Sequence, residues 1–200
     1  MNLIFFGPQG SGKGTQAKII SEKMQLKHVS TGDLLRNTSG KLKKEVDSYI
    51  NSGNLVPDEL IIKILKEEIS KPEYKSGFIL DGFPRNISQV LALDKITKID
   101  KVIEISISDE EAISRIVNRI SCKSCGFIFN IKTNPSKLQN TCDNCNSKLE
   151  KRSDDNEEAI KKRLAIYKKD TSPILLHYKA ITINGQQEID KVTQDILNIL

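Results

Sequence analysis

A short apolar run, Leu3-Ile4-Phe5-Phe6, is followed at once by Gly7-Pro-Gln-Gly-Ser-Gly-Lys-Gly-Thr15. Three glycines within six residues, then a lysine, suit neither a strand nor a helix interior, because ordering glycine sacrifices more backbone freedom than ordering any other residue. Apolar residues resume at helical spacing behind the loop, at Ala17, Ile20 and Met24, so the order is strand, glycine loop, helix. Glycines let consecutive N–H groups turn inward around phosphate oxygens, the helix presents the positive end of its dipole, and Lys13 adds a mobile cation. The G-x-x-x-x-G-K-[ST] pattern is met at Gly7, Gly12 and Lys13, but Gly14 stands where a hydroxyl is expected and Thr15 supplies it one residue late. A plain glycine turn would leave the lysine and the order of the elements unexplained.

Further strands are expected at Gly77 to Asp81, Val102 to Ile107 and Ala180 to Ile183, separated by helical segments, which predicts a parallel α/β sheet covered on both faces. Ser108-Asp-Glu-Glu111 reads as a capping box, and Asp154-Asp-Asn-Glu157 as a second helix start. Residues 30–59 read as short helices and turns, and residues 121–150 have little helical periodicity; both are expected to be insertions on the core. With 38% hydrophobic and 28% charged residues, the chain can bury one sizeable core. Its apolar runs are too short for a membrane span, so a cytoplasmic protein with no membrane partner is expected. A net charge of +5 suits small anionic substrates at least as well as nucleic acid.

Every cysteine falls in the second insertion. Cys122-Lys-Ser-Cys125 and Cys142-Asp-Asn-Cys145 are separated by sixteen residues, the spacing of a four-thiolate zinc site. Four protein ligands leave no open coordination position, so a structural Zn²⁺ is expected rather than a catalytic one. Two disulfides and a nucleic-acid-binding zinc ribbon are the alternatives.

No Asn-Lys-x-Asp stretch that would read guanine is present. Gly12-Lys-Gly-Thr15, Val29-Ser-Thr-Gly-Asp-Leu-Leu-Arg36, Leu55-Val-Pro-Asp-Glu59 and Asp81-Gly-Phe-Pro-Arg85 with Gln89 together resemble the adenylate kinase family in order and spacing, across essentially the whole chain. The resemblance implies a three-layer P-loop core (1–29, 60–119 and 152–200), a helical AMP-binding insertion (30–59) and a zinc-ribbon-like lid (120–151). It also implies a monomer that catalyses Mg·ATP + AMP ⇌ 2 ADP, with no nucleic-acid partner. A kinase of UMP or CMP and a non-catalytic nucleotide sensor are the competing readings. Two departures from the long-lid relatives are visible: the stretch between Pro173 and Asn184 is shorter, and Ile120 stands where an arginine is common.

By the same resemblance, Gly10, Ser11, Gly12, Lys13, Gly14 and Thr15 hold ATP phosphates, Arg119 lies against the ATP adenine or its phosphates beside Ile128 and Phe129, and Gln187 approaches the same adenine through its backbone. Thr31, Arg36, Asn54, Leu55, Val56, Gly82, Phe83, Pro84, Arg85 and Gln89 match the AMP positions, and Gln89 carries the choice of base. Arg152 and Arg163 bridge the two phosphate groups, and Lys13, Arg85, Arg119, Arg152 and Arg163 form the catalytic set. Asp81 is either a water-mediated hold on Mg²⁺ or a strand-end turn. Asp154 and Asp155 are either substrate-side partners or a helix cap, and Arg115 either meets phosphate or solvates a helix face. His28 and His177 are expected to be structural or surface residues. The chemistry agrees: an acceptor phosphate oxygen is already anionic and needs no general base, but several phosphates brought together need many cations.

Overall fold

The computed structural model describes residues 1–200, apart from the side chain of Lys41. The core alternates β1 (Asn2–Phe6), α1 (Lys13–Met24), β2 (Lys27–Ser30), α2 (Thr31–Arg36), α3 (Gly40–Asn51), α4 (Asp58–Ile69), β3 (Phe78–Asp81), α5 (Ile87–Asp94), β4 (Lys101–Ser106) and α6 (Asp109–Val117). Three short strands follow, β5 (Arg119–Cys122), β6 (Ile128–Asn130) and β7 (Leu149–Glu150). The chain then returns through α7 (Glu157–Ile166), a π turn at Tyr167–Thr171, α8 (Ile174–His177), β8 (Ile181–Asn184) and α9 (Ile189–Leu197).

Five strands form one parallel sheet in the order β2-β3-β1-β4-β8. Side chains alternate across β1: Ile4 and Phe6 pack with α2 to α5, while Leu3 and Phe5 pack with α1 and α9 on the opposite face. This makes the three-layer α/β arrangement, and it explains why β1 reads as an unbroken apolar run rather than an alternating one. The strand β2 was not expected. Only Val29 of its four residues is buried, and an edge strand with one apolar anchor carries no periodic signal. Its pairing sets Ser30 opposite Asp81 and so completes one wall of the site.

Residues 30–59 hold α2, α3 and the start of α4, whereas β6-β5-β7 form a separate antiparallel sheet. Ser108 caps α6 by accepting from the Glu111 N–H at 3.2 Å. The second cap is displaced by two residues from its expected start: Asn156, not Asp154 or Asp155, accepts from the Ala159 N–H at 2.9 Å. Among the described residues, no helix is long and apolar enough to cross a membrane.

Because both faces of β1 are covered, adjacent truncations should be equally damaging. Leu3→Ala and Ile4→Ala, each at a fully buried position, should each cost about 2–5 kcal/mol in denaturant unfolding. One large and one small loss would mean that one face of the sheet is solvated.

Candidate functional site

The carboxyl ends of β1, β2, β3 and β8 open into a single cavity of about 850 Å³. In parallel α/β sheets this is the edge at which loops converge on a ligand. The glycine loop forms its floor. Gly10 and Gly12 have φ of +87° and +91°, a left-handed conformation that few other residues adopt, and a Cβ at Gly10 would lie 2.7 Å from the Ala112 carbonyl. Helix α1 then begins at Lys13 with no side-chain cap and no acidic residue in its first turn, so no residue of the helix itself neutralises the positive end of its dipole.

Lys13 folds back and donates to the Pro8 carbonyl at 3.2 Å. Burial, together with Arg85, Arg119 and Arg152, pulls its ammonium down to about 8 despite the opposing pull of Asp81. The missing hydroxyl at position 14 also has a physical reason: a Cβ there would stand 3.0 Å from Asp81 Oδ2. Gly14 therefore makes room for a carboxylate at the start of the helix. Burial alone would raise the Asp81 carboxyl, but His28, Lys13 and Arg85 outweigh it and hold it below its usual range. His28, read from sequence as structural or surface, lines the cavity with Nε2 3.5 Å from Asp81 Oδ2. Only the pairing of β2 with β3 brings it there, and nothing local in the sequence signals it.

Arg36, Arg85, Arg115, Arg119, Arg152 and Arg163 all line the cavity. Asp154 is 3% exposed and joins two of them, Arg163 at 3.0 Å and Arg36 at 3.6 Å. Burial pushes its carboxyl up, but Arg163, Arg36 and Arg152 pull harder and keep it low. Asp155 takes both Nε and a terminal nitrogen of Arg119 and also accepts from Gln9 Nε2 at 3.1 Å. The two aspartates are thus arginine partners and not a helix cap. Arg115 pairs with Glu111 along α6 at 2.6 Å and reaches the Ser11 carbonyl at 3.5 Å, so it serves its helix face and the glycine loop together.

Arg85 and Arg152 have no carboxylate within ion-pairing distance among the described residues. Arg85 donates from Nε to the Gly82 carbonyl at 2.7 Å. Burial, then Arg163 and Arg36, lower Arg85 to about 10; burial, then Arg119 and Arg36, do the same to Arg152. Guanidinium groups rarely lose basicity, and here they do so because burial strips them of water and neighbouring cations crowd them.

Not every expected contact residue faces this space. Asn54, Leu55, Val56, Gly82 and Pro84 do, but Thr31, Phe83 and Gln89 are 1–2% exposed and lie outside the lining. Thr31 spends its hydroxyl on the Asp81 carbonyl at 3.1 Å, and Phe83 packs in the core. Phe129 lines the cavity beside Ile128 but is 3% exposed and packs with Cys122, Cys142 and Leu149, so its ring belongs chiefly to the small sheet's core. Gln187 lines the cavity, and its side chain is tied to the Asn184 carbonyl and to Asp195, both at 2.9 Å, which leaves its backbone to face the space.

The four cysteine sulfurs all lie within 4.8 Å of one another, with closest pairs at 3.4 and 3.6 Å. Those separations are far beyond a disulfide bond and bracket the roughly 3.8 Å expected between thiolates around a tetrahedral ion with 2.3 Å bonds. Each knuckle closes in the same way. Gly126 N–H donates to the Cys122 carbonyl at 3.0 Å and Asn146 N–H to the Cys142 carbonyl at 2.8 Å, with left-handed φ of 70° and 59° respectively. The cluster could therefore hold a metal ion, with all four ligands drawn from the two cysteine knuckles.

Comparison with known proteins agrees with this site. The family model for adenylate kinase matches residues 5–183. An adenylate kinase of Methanocella arvoryzae is 45% identical, with 98% of this chain and 96% of the relative covered. Those of Clostridium acetobutylicum and Thermosipho africanus are 44% and 42% identical, each over 100% of this chain and 99% of the relative. A family model that matches most of the chain, with relatives more than 40% identical from end to end, places the chain in the adenylate kinase family.

Proposed function

We infer that the protein transfers the γ-phosphoryl group of Mg·ATP to AMP, reversibly, giving two ADP. The observation that carries this reading is that six arginines line one cleft while Arg85 and Arg152 have no carboxylate within ion-pairing distance among the described residues, an arrangement that suits several phosphate groups. In the proposed arrangement, the glycine loop and Lys13 hold ATP phosphates, while Arg36, Arg85 and Arg163 take the acceptor phosphate. Arg119 and Arg152 close on the transferring group, where planar, always-charged forks stabilise the spread negative charge of the transition state. No base is required, because the attacking phosphate oxygen is already anionic.

Mg²⁺ bound with ATP would bridge phosphate oxygens and neutralise part of their charge. Asp81, kept ionised at the start of α1, fits a water-mediated hold on it. We assign Zn²⁺ to the four thiolates as a structural ion, and propose that residues 120–151 close over ATP and residues 30–59 over AMP. Closure would exclude the water that otherwise competes as acceptor.

The direct test is ADP formation from Mg·ATP with AMP, CMP, UMP or GMP in turn. AMP should be strongly preferred, and Lys13→Ala should lower kcat/KM by about 10²–10³, the usual cost of one transition-state donor. A pyrimidine preference would replace the acceptor assignment, and no transfer to any acceptor would favour a nucleotide sensor.

The lowered Lys13 adds a pH signature. Phosphate charge should raise its pKa from about 8, so the complex holds more protons than the free protein just above pH 8. Calorimetry of ATP binding at about pH 8.5, where phosphate itself is already ionised, should show proton uptake that Lys13→Met abolishes. Affinity should fall as pH rises through this range; proton release would contradict the assignment.

Elemental analysis should find one zinc per chain, lost in Cys142→Ser together with several degrees of thermal stability. Four freely titrating thiols in the purified native protein would exclude the structural metal.

A further inference from the structure

We propose that Asp58 is a positioning residue for base choice: it fixes which end of the Gln89 amide is acceptor and which is donor, and so makes the site select a 6-aminopurine over a 6-oxopurine monophosphate. This rests on the AMP reading above, in which Gln89 meets the acceptor base. The geometry is a closed network at the start of two helices. Gln89 Oε1 accepts from the Arg85 N–H at 2.7 Å, and Gln89 Nε2 donates to Asp58 Oδ1 at 2.7 Å. Asn86, the cap of α5, accepts from the Gln89 N–H at 2.9 Å and donates from Nδ2 to both Asp58 oxygens, at 2.9 and 3.2 Å.

Neither partner of the Gln89 amide can exchange roles. A backbone N–H only donates, and an ionised carboxylate only accepts. The partners therefore dictate the oxygen and nitrogen positions. Turning the amide over would set its oxygen against Asp58 and its NH₂ against the Arg85 N–H. At 2% exposure, water is not at hand to repair either contact.

Each end of the locked amide keeps one unused function, a lone pair on Oε1 and a hydrogen on Nε2. Adenine offers the complement on either edge, an N6–H donor beside an N1 or N7 acceptor. A 6-oxopurine offers an O6 acceptor at the same place and so meets Oε1 lone pair to lone pair. Its N1 edge would suit only the overturned amide. Gln89 is 2% exposed and lies outside the cavity lining, so base contact requires the wall in front of it to move.

The test is the ratio of kcat/KM for AMP to that for IMP, its 6-oxo counterpart, measured within each variant so that loss of folded protein cancels. Asp58→Asn keeps the shape but supplies an amide that can face either end of Gln89. The ratio should fall about tenfold or more, the worth of one charge-assisted hydrogen bond, with KM for Mg·ATP unchanged. If that variant does not fold, Asp58→Ser is read in the same way. An unchanged ratio in the Asp58 variant, with a collapsed ratio in Gln89→Leu, would overturn the role of Asp58 and leave the acceptor reading intact. An unchanged ratio in both would overturn the proposal together with the assignment of Gln89 to the base.

Discussion

Six arginines line the cleft against four carboxylate partners, Asp33, Glu111, Asp154 and Asp155, and the organisation of the site follows from that imbalance. Asp154 carries the heaviest share: buried and ionised, it joins Arg36 of α2 to Arg163 of α7 and so ties the 30–59 segment to the returning chain. Asp155 does the same for Arg119 and, through Gln9, for the glycine loop. Arg85 and Arg152 have no carboxylate within ion-pairing distance among the described residues. A cleft arranged in this way stores repulsion that a phosphate-rich ligand relieves, which is how a preorganised electrostatic site differs from a merely basic surface.

The small β6-β5-β7 sheet is held by a different balance. Its buried cluster is Cys122, Phe129, Cys142 and Leu149, so half of its core consists of the thiols that would bind the ion. Two buried apolar side chains, with Ile120 and Phe127 half-buried beside them, cannot offset the entropy of ordering some thirty residues, and four thiolates drawn to one ion can. Contact with the rest of the protein is correspondingly local: Lys18 of α1 lies over the Phe127 ring at 4.9 Å, and the Arg119–Asp155 pair sits where the segment leaves and rejoins the core. That economy suits an element proposed to move as a unit.

The features legible in the sequence are those whose physics is local. The apolar run, the glycine loop and the helix behind it fix β1, α1 and the phosphate cradle, and the cysteine spacing fixes the metal cluster. The strand β2 escaped notice because an edge strand needs only Val29 as an anchor. Asp154-Asp-Asn-Glu157 offers three residues able to cap a helix, and nothing in the string says that Asn156 does so while its neighbours reach Arg163 and Arg119. The burial of Thr31, Phe83 and Gln89 behind the wall was likewise out of reach. A matched motif says which residues meet around a ligand, not which of them face the space when it is open.

The most direct measurement is the melting temperature of Arg152→Met with and without ATP and AMP. Arg152 has no side-chain hydrogen bond or ion pair among the described residues, and its burial beside Arg119 and Arg36 disfavours its charge. Removing that charge should leave the ligand-free protein as stable as the wild type or more so, while abolishing most of the stabilisation that nucleotides confer. A lower melting temperature without ligand, with the nucleotide-induced rise intact, would mean that Arg152 supports the fold and that the surplus charge is not what receives the phosphates.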